Sequence, residues 1–485
     1  MRQKTPFQFG LIAGLFLMTA AGITVAQSDT AVERAGMPRP ITAPVDKQIA
    51  PALGQVSAAQ LKATIEKLAS FGTRLTIGEN PAQSGRGVAA AREWIKSEFQ
   101  RYSQACGGCL EVKTDAFTQE PRPRVPKPTE IVNVYAVLRG TNPEAAKRIV
   151  LVTGHYDSRP SNDQDTQADA PGANDDGSGT AVSLECARVL SKYKFPATII
   201  FLTVAGEEQG LLGSAHFAEM ARQQGWNIEA VLNNDIVGGD KSPGQDPTVV
   251  RVFSEGIPLT DVGPRGTANE TAAPRNQQAI SRLRALGAES DSISRELTRY
   301  IRQTGAQYLP PSFQPLLVFR PDRYLRGGDH TSFNRQGFAA VRITEYRENY
   351  QHQHQTPRIE NGIEYGDLPK FVDYEYMANV ARLNAATLAS LASAPAPPAN
   401  VRLETQKLEN DSTLLWDASP DGLAASYEVL WRPTTSPDWE QVIPAGNVKQ
   451  VTVPRSKDNV IFGVRAVDAQ GHRSLPVLPV PGQNR

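Results

Sequence analysis

Ile149-Val150-Leu151-Val152-Thr153-Gly154-His155-Tyr156-Asp157 is an apolar run that stops on an imidazole and a carboxylate. Two later runs stop in the same way. Residues 197–205 (Ala-Thr-Ile-Ile-Phe-Leu-Thr-Val-Ala) lead into Glu207-Glu208, and residues 228–234 lead into Asp235. Runs this short and this apolar read as strands buried on both faces. Helical patterns over 176–193 and 210–224 separate them, the first opened by Asn174-Asp175-Asp176-Gly177-Ser178-Gly179. The alternation predicts an α/β domain with a mostly parallel mixed sheet covered by helices. The ionisable residues then fall at the carboxyl ends of the strands, where diverging loops leave a ligand crevice. Carboxylates buried there need a partner, and a divalent cation is the strongest one available.

Outward from this core, helical patterns are expected at 57–70 and 87–102, the second with Ala90, Trp94, Ile95 and Phe99 in its apolar stripe. A β-rich stretch near 110–140 follows. Residues 239–275 are rich in Gly, Pro and polar residues, with one short strand candidate at 248–253, and read as a surface excursion that shapes a cleft. They include a formal glycosylation sequon, Asn269-Glu270-Thr271. An amphipathic helix is expected at 276–303. Residues 393–400 form a Pro/Ala linker, extended and semi-rigid. Beyond it, strands at 401–403, 413–416, 426–432, 450–453 and 460–467 alternate with turn residues, which predicts a small all-β sandwich.

The 485 residues are too many for one ordinary core. The expected organisation is a signal peptide at 1–26, an extended N-terminal segment at 27–50, a catalytic domain at 51–392, the linker, and a β module at 401–485. Arg2 and Lys4 precede a mostly apolar Phe9–Val25, and Thr24-Val25-Ala26 offers a small residue for cleavage. The chain is therefore expected to be secreted or periplasmic, with no membrane span left after signal removal. Lys and Arg together number 51 and Asp and Glu also 51, a balance that argues against a nucleic-acid or anionic-membrane partner. Cys106-Gly-Gly-Cys109 suits a zinc half-knuckle, a redox motif or a disulfide. In an oxidising compartment, and with no second cysteine pair, the disulfide is favoured. Cys186 lies among Val182, Val189 and Leu190 at helical spacing and reads as a buried thiol.

The motifs at 150–240 resemble the zinc aminopeptidases of peptidase family M28, whose fold is phosphorylase/hydrolase-like and whose site holds two zinc ions. The resemblance implies that His155 and Asp235 bind one zinc, Glu208 the other, and that Asp175 bridges both. Asp157 would orient a ligand or the base, and Glu207 would be the general base that activates water and reprotonates the leaving amine. The peptide bond after the bridging aspartate is often cis in that family. Two ions about 3.5–4 Å apart acidify water and clamp an oxyanion, while a carboxylate outside the ligand set is still needed to move the proton. The family takes its last ligand from a late Tyr-His-Thr-Pro-x-Asp loop. Here the segment is Tyr350-Gln-His352-Gln-His354-Gln-Thr356-Pro-Arg358, so the fit is inexact. His352 is favoured by its proximity to the tyrosine, with His354 as the alternative. Gly328-Asp329-His330-Thr-Ser-Phe333 resembles a family segment near the substrate, which makes His330 a candidate substrate contact. His216 and His472 are read as structural.

The β module resembles fibronectin type III, through Pro398, Trp416, Tyr427-Glu-Val-Leu-Trp431 and Val464-Arg-Ala-Val-Asp468. The expected function is hydrolysis of peptides or proteins from a free N-terminus. The alternatives are a single-zinc glutaminyl cyclase, a carboxypeptidase using Arg323, Arg326 or Arg347, and a binding protein without catalysis. Glu207 argues against the last, since a dead site has no need of a proton shuttle.

Overall fold

Eight strands form the central sheet: β1 (Leu110–Gln119), β2 (Thr129–Leu138), β3 (Arg148–His155), β4 (Thr198–Val204), β5 (Asn227–Asn234), β6 (Val249–Ser254), β7 (Gln314–Val318) and β8 (Ala340–Glu345). A computed structural model of the chain describes residues 38–257, 280–281 and 283–482. The expected signal peptide and the sequon at 269–271 lie outside the described residues. The spatial order is β1-β2-β4-β3-β5-β8-β6-β7. β4, β3, β5 and β8 run parallel, β2 and β6 pair antiparallel to them, and β1 is antiparallel to β2. The sheet is mixed and parallel at its centre, as the apolar runs required.

Helices α1 (Ile49–Leu53), α2 (Ala58–Ala69), α3 (Val88–Ala105), α4 (Gly177–Leu190), α5 (Leu212–Gln223), α6 (Ile293–Tyr308), α7 (His330–Arg335) and α8 (Tyr374–Ser393) surround it. One apolar core gathers α2, α3, α4 and α8 on one face of the sheet, and a smaller one lies under α5 and α7 on the other. The helix expected at 276–303 is split: residues 280–281 and 283–286 are helical, and α6 then runs from Ile293 to Tyr308. Gly287 adopts φ 61° and Ser292 caps α6 by accepting from the Arg295 backbone N–H, so the chain restarts there. Residues 38–48 carry no helix or strand before α1, which begins at Ile49, inside the span expected to be extended.

The C-terminal strands are β11 (Ala399–Leu403), β12 (Ser412–Asp417), β13 (Ser426–Pro433), β14 (Gln441–Gly446), β15 (Gln450–Val453), β16 (Val460–Val467) and β17 (Val480–Pro481), while β9 (Arg358–Glu360) and β10 (Ile363–Tyr365) form a separate hairpin. Sheets β15-β12-β11-β17 and β14-β13-β16 enclose Trp416, Tyr427, Val429 and Phe462. Strand β14 was not evident from the sequence.

The module is closely docked. Trp439 Nε1 donates to Glu296 Oε2 at 2.9 Å, and Arg302 pairs with Asp438 at 2.7 Å. Arg299 donates to the Pro437 carbonyl at 2.8 Å. Ala394 and Ala396 of the linker are buried, and Arg148 donates to the Pro395 carbonyl at 3.2 Å. The connection is therefore extended yet packed. Cys106 and Cys109 form a disulfide, and Cys186 is a buried free thiol. Among the described residues, no helix is long and apolar enough to cross a membrane.

Candidate metal centre

Three parallel strands deliver the site. β3 ends on His155, the loop after β4 carries Glu207 and Glu208, and β5 gives way to Asp235. Asp175 stands just before α4, and the Asp175–Asp176 peptide bond is cis. Asp176 caps α4 through the Gly179 N–H at 2.8 Å. It also accepts from the backbone N–H groups of His155 at 3.0 Å and Ile236 at 3.3 Å. One carboxylate thus ties the helix start to two strand ends. The glycines are needed for that approach: a Cβ on Gly179 would lie 2.1 Å from the Asn234 carbonyl oxygen, and one on Gly154 would lie 2.3 Å from the Gly179 carbonyl carbon.

Asp157 is buried and holds the base of the site. Its Oδ2 accepts from Thr76 Oγ1 at 2.9 Å and the Glu208 N–H at 3.2 Å. Its Oδ1 accepts from the Glu207 N–H at 3.4 Å and lies 3.4 Å from His155 Nδ1. That Nδ1 is also 3.2 Å from the Asp157 carbonyl, which assigns it the proton and leaves Nε2 facing the cluster.

Two donor groups result: His155 with Glu207 and Asp235, and Asp175 with Glu208 and His354. Within each group the ligand atoms lie within 4.8 Å of one another. Asp175 faces both. Its Oδ1 is 3.2 Å from His155 Nε2, and its Oδ2 is 2.9 Å from His354 Nε2. His354 Nε2 is also 3.1 Å from Glu208 Oε1, a buried oxygen with no hydrogen bond of its own. The donor set of imidazoles and carboxylates suits zinc. Of the first group, Glu207 alone is partly exposed.

Charge is concentrated here. Burial would lower the His155 imidazole, but Asp157 and Asp175 hold its pKa well above the usual histidine value. Burial likewise opposes a charged His354, yet Glu208 and Asp175 raise it to about 10. Burial pushes the Glu207 carboxyl well up, with His155 opposing and Glu208 and Asp235 adding to the rise. Both imidazole shifts have one cause, an excess of carboxylates over imidazoles, and a divalent cation would meet the same demand.

The histidine at these carboxylates is His354, which corrects the preference for His352. His352 stacks on Phe371 with ring centroids 3.7 Å apart and pairs through Nδ1 with Asp240. The turn after Asn349 rolls His352 beneath the loop, and His354, at φ 57°, points back over the cleft. His330 is also displaced from its expected role. It is fully buried, with Nε2 2.7 Å from the Pro321 carbonyl, and so presents no edge to the cleft.

Several contributors escaped the sequence reading. Arg342 on β8, fully buried, pairs with Asp235 Oδ2 at 2.6 Å, leaving Oδ1 towards His155. Asp367 accepts from the backbone N–H groups of Asn174 and Asp175, at 2.8 and 2.7 Å. Gln353 donates to Asp175 Oδ2 at 2.8 Å. Arg159 reaches Glu208 Oε2 at 3.3 Å. Arg159, two residues past Asp157, and Gln353, between His352 and His354, sit in or beside recognised motifs. Arg342 and Asp367 come from elements with no local pattern to mark them.

A sequence profile for peptidase family M28 matches residues 133–249. A probable zinc metalloprotease of Leptosphaeria maculans is 43% identical over 440 residues, covering 90% of this chain and 98% of that protein. A probable zinc metalloprotease of Pyricularia oryzae is 43% identical over 444 residues, covering 90% of this chain and 85% of that one. Among solved structures, the LapA aminopeptidase of Legionella pneumophila aligns with a TM-score of 0.49 and 18% identity, over 74% of this chain and 79% of its own.

Proposed function

The chain belongs to peptidase family M28 and is a zinc metalloprotease, and we propose that it is an exported dizinc aminopeptidase with Glu207 as its general base. One observation carries the reading: the two oxygens of Asp175 face two different imidazoles, His155 and His354, as a carboxylate shared by two ions would. His155 and Asp235 would hold one ion and Glu208 and His354 the other, with Asp175 between them. When bound, the ions supply Lewis acidity that acidifies water and polarises the scissile carbonyl.

The chain's own residues do the rest. Glu207 is held by its backbone N–H on Asp157 and keeps an exposed edge on the cleft. Its raised proton affinity suits taking a proton from the attacking water and returning it to the leaving amine nitrogen. Arg342 restrains Asp235, and Asp367 restrains the backbone of Asp175, so neither carboxylate must reorganise during turnover. Export is supported by the apolar Phe9–Val25 and by the Cys106–Cys109 disulfide. Residues 51–392 are proposed as the catalytic domain and 401–485 as a fibronectin-like module.

A carboxypeptidase gains no support from Arg323, whose guanidinium is already paired with Asp322 at 3.0 Å and Glu348 at 2.8 Å. The test is zinc analysis together with an assay on free-amino, blocked-amino and N-terminal-Gln peptides. About two zinc per chain, hydrolysis of the free-amino peptides only, and a loss of about a hundredfold or more in kcat for Glu207→Gln with zinc retained are expected. Cyclisation of the Gln peptide with one tight zinc would establish the glutaminyl cyclase instead.

A further inference from the structure

Glu120-Pro-Arg122-Pro-Arg124-Val-Pro-Lys127-Pro128 joins β1 to β2 and has no part in the mechanism above. Prolines at 121, 123, 126 and 128 fix much of its backbone before folding. Arg122 and Val125 exchange backbone hydrogen bonds, both at 2.9 Å, which closes a tight turn. Val125 is fully buried and pins that turn, whereas Arg122, Pro123 and Arg124 are exposed. Arg124 adopts φ 72°, an uncommon backbone for a residue with a side chain. The turn lies against the site. Arg124 Nη1 donates to the Glu208 carbonyl at 3.1 Å, and a Cβ on Gly210 would lie 3.9 Å from Arg122 Nη2. Both contacts fall on the loop that carries Glu207. A base that returns a proton to the leaving nitrogen must stand beside it. The part of a peptide downstream of the scissile bond therefore leaves along this loop, past the two arginines. Asp163 lies 3.4 Å from Arg124 Nε but serves Arg159 as well, at 3.7 Å. Arg122 meets no carboxylate among the described residues. Cations are in surplus at this rim.

We propose that Arg122 and Arg124 form a subsite for a substrate carboxylate carried two or three residues beyond the scissile bond. The inference rests on the aminopeptidase reading. Arg124 is one hydrogen bond from a residue of the donor set, so its guanidinium stands on the order of 10 Å from the cluster, about the span of two or three extended residues. A carboxylate at that distance is the C-terminus of a tri- or tetrapeptide, or an Asp or Glu side chain at the same place in a longer chain. A planar guanidinium matches a carboxylate with paired donors, and a stiff turn presents it with little ordering cost. In a longer neutral peptide the C-terminus passes beyond the turn and the advantage disappears.

The experiment follows release of the N-terminal residue by the full-length, zinc-loaded chain, with products identified by chromatography. Leu-Ala-Ala is compared with its C-terminal amide, and Leu-Ala-Asp-Ala amide with Leu-Ala-Asn-Ala amide. In wild type, kcat/KM should be about five- to tenfold higher for the carboxylate member of a pair, carried by KM, and the gap should close in about 0.5 M salt, which screens exposed charges. Arg122→Met should shrink the ratio to about twofold, while Arg122→Lys, which keeps the charge, should hold most of it. Each ratio compares two substrates on one protein, so a loss of folded or zinc-loaded enzyme cancels. An advantage confined to the first pair supports the subsite with the C-terminus as its ligand, and one confined to the second supports it with an acidic side chain. Ratios near one in wild type, or ratios unmoved by Arg122→Met, overturn the inference and leave the aminopeptidase reading intact. Release of the C-terminal residue instead, or no hydrolysis of any of the four peptides, overturns that reading and the subsite with it.

Discussion

Asp157→Asn is the substitution whose effect follows most directly from the geometry. The carboxylate is met by donors on both oxygens: Thr76 Oγ1 and the Glu208 N–H on Oδ2, and the Glu207 N–H with His155 Nδ1 close by on Oδ1. An asparagine amide accepts through one atom only. Its cheaper orientation keeps the oxygen on Thr76 and Glu208 and turns the NH2 towards Glu207 and His155, where the contacts are longest. That sets a donor against the backbone N–H of the proposed base. Losing the acceptor and leaving a buried donor unpaired costs about 1–3 kcal/mol, or about 5- to 150-fold in kcat/KM. His155 also loses its orienting carboxylate, for which a fall of about 10- to 100-fold in zinc affinity is expected. Steady-state kinetics at saturating buffered zinc, with zinc content and circular dichroism on the same samples, separate these effects. Thr76→Val removes one donor and should cost less than tenfold. An Asp157→Asn protein that keeps zinc affinity and kcat/KM within twofold of wild type would refute the positioning argument.

His354→Ala should lose one zinc of two and at least about a hundredfold in kcat/KM. His352→Ala should keep both ions and lose only stability, by about 1–2 kcal/mol, through its ring stack and the unpaired Asp240. Equal zinc loss in the two variants would contradict the ligand assignment. In the docked module, Asp438→Ala leaves Arg302 buried beside no carboxylate and should cost about 3–5 kcal/mol in urea unfolding. Arg302→Met combined with Asp438→Leu should recover most of that loss, and kcat at low temperature should be unchanged in both. A single variant within about 1 kcal/mol of wild type would show the pair to be solvated.

The sequence disclosed whatever is encoded locally. Continuous apolar runs could only be buried strands, and charges at their ends could only lie at one edge of a parallel sheet, so the positions of His155, Glu207, Glu208 and Asp235 were legible before any coordinates. Gly179, in the Asn-Asp-Asp-Gly-Ser-Gly run, was legible as small enough to let a helix start pack against the sheet, but nothing marked Gly154 as the residue it presses against. The choice between His352 and His354 was not legible. It depends on how a short turn rolls two histidines to opposite sides, and on Phe371 and Asp240, which hold the first of them from elsewhere in the chain. The same holds for Arg342, Asp367 and Arg159. A guanidinium or carboxylate in a loop looks the same in sequence whether solvated or buried, and only the fold says which charge it faces.

The docking of the module was hidden for a related reason. Glu296, Arg299 and Arg302 repeat at helical spacing on α6, the pattern of an exposed face. They are buried because Trp439, Asp438 and the Pro437 carbonyl satisfy them one by one. A face of ion-pairing residues that is solvated in one protein and an interface in another differs only in whether a second surface supplies partners. Here that surface lies more than a hundred residues further along the chain. The two regions therefore have to be read together, and the charge left over after such pairing is what marks the metal centre. On α6 each buried charge meets its partner within the chain, whereas around Asp175 the carboxylates exceed the cations available to them. That excess is what a bound cation would answer.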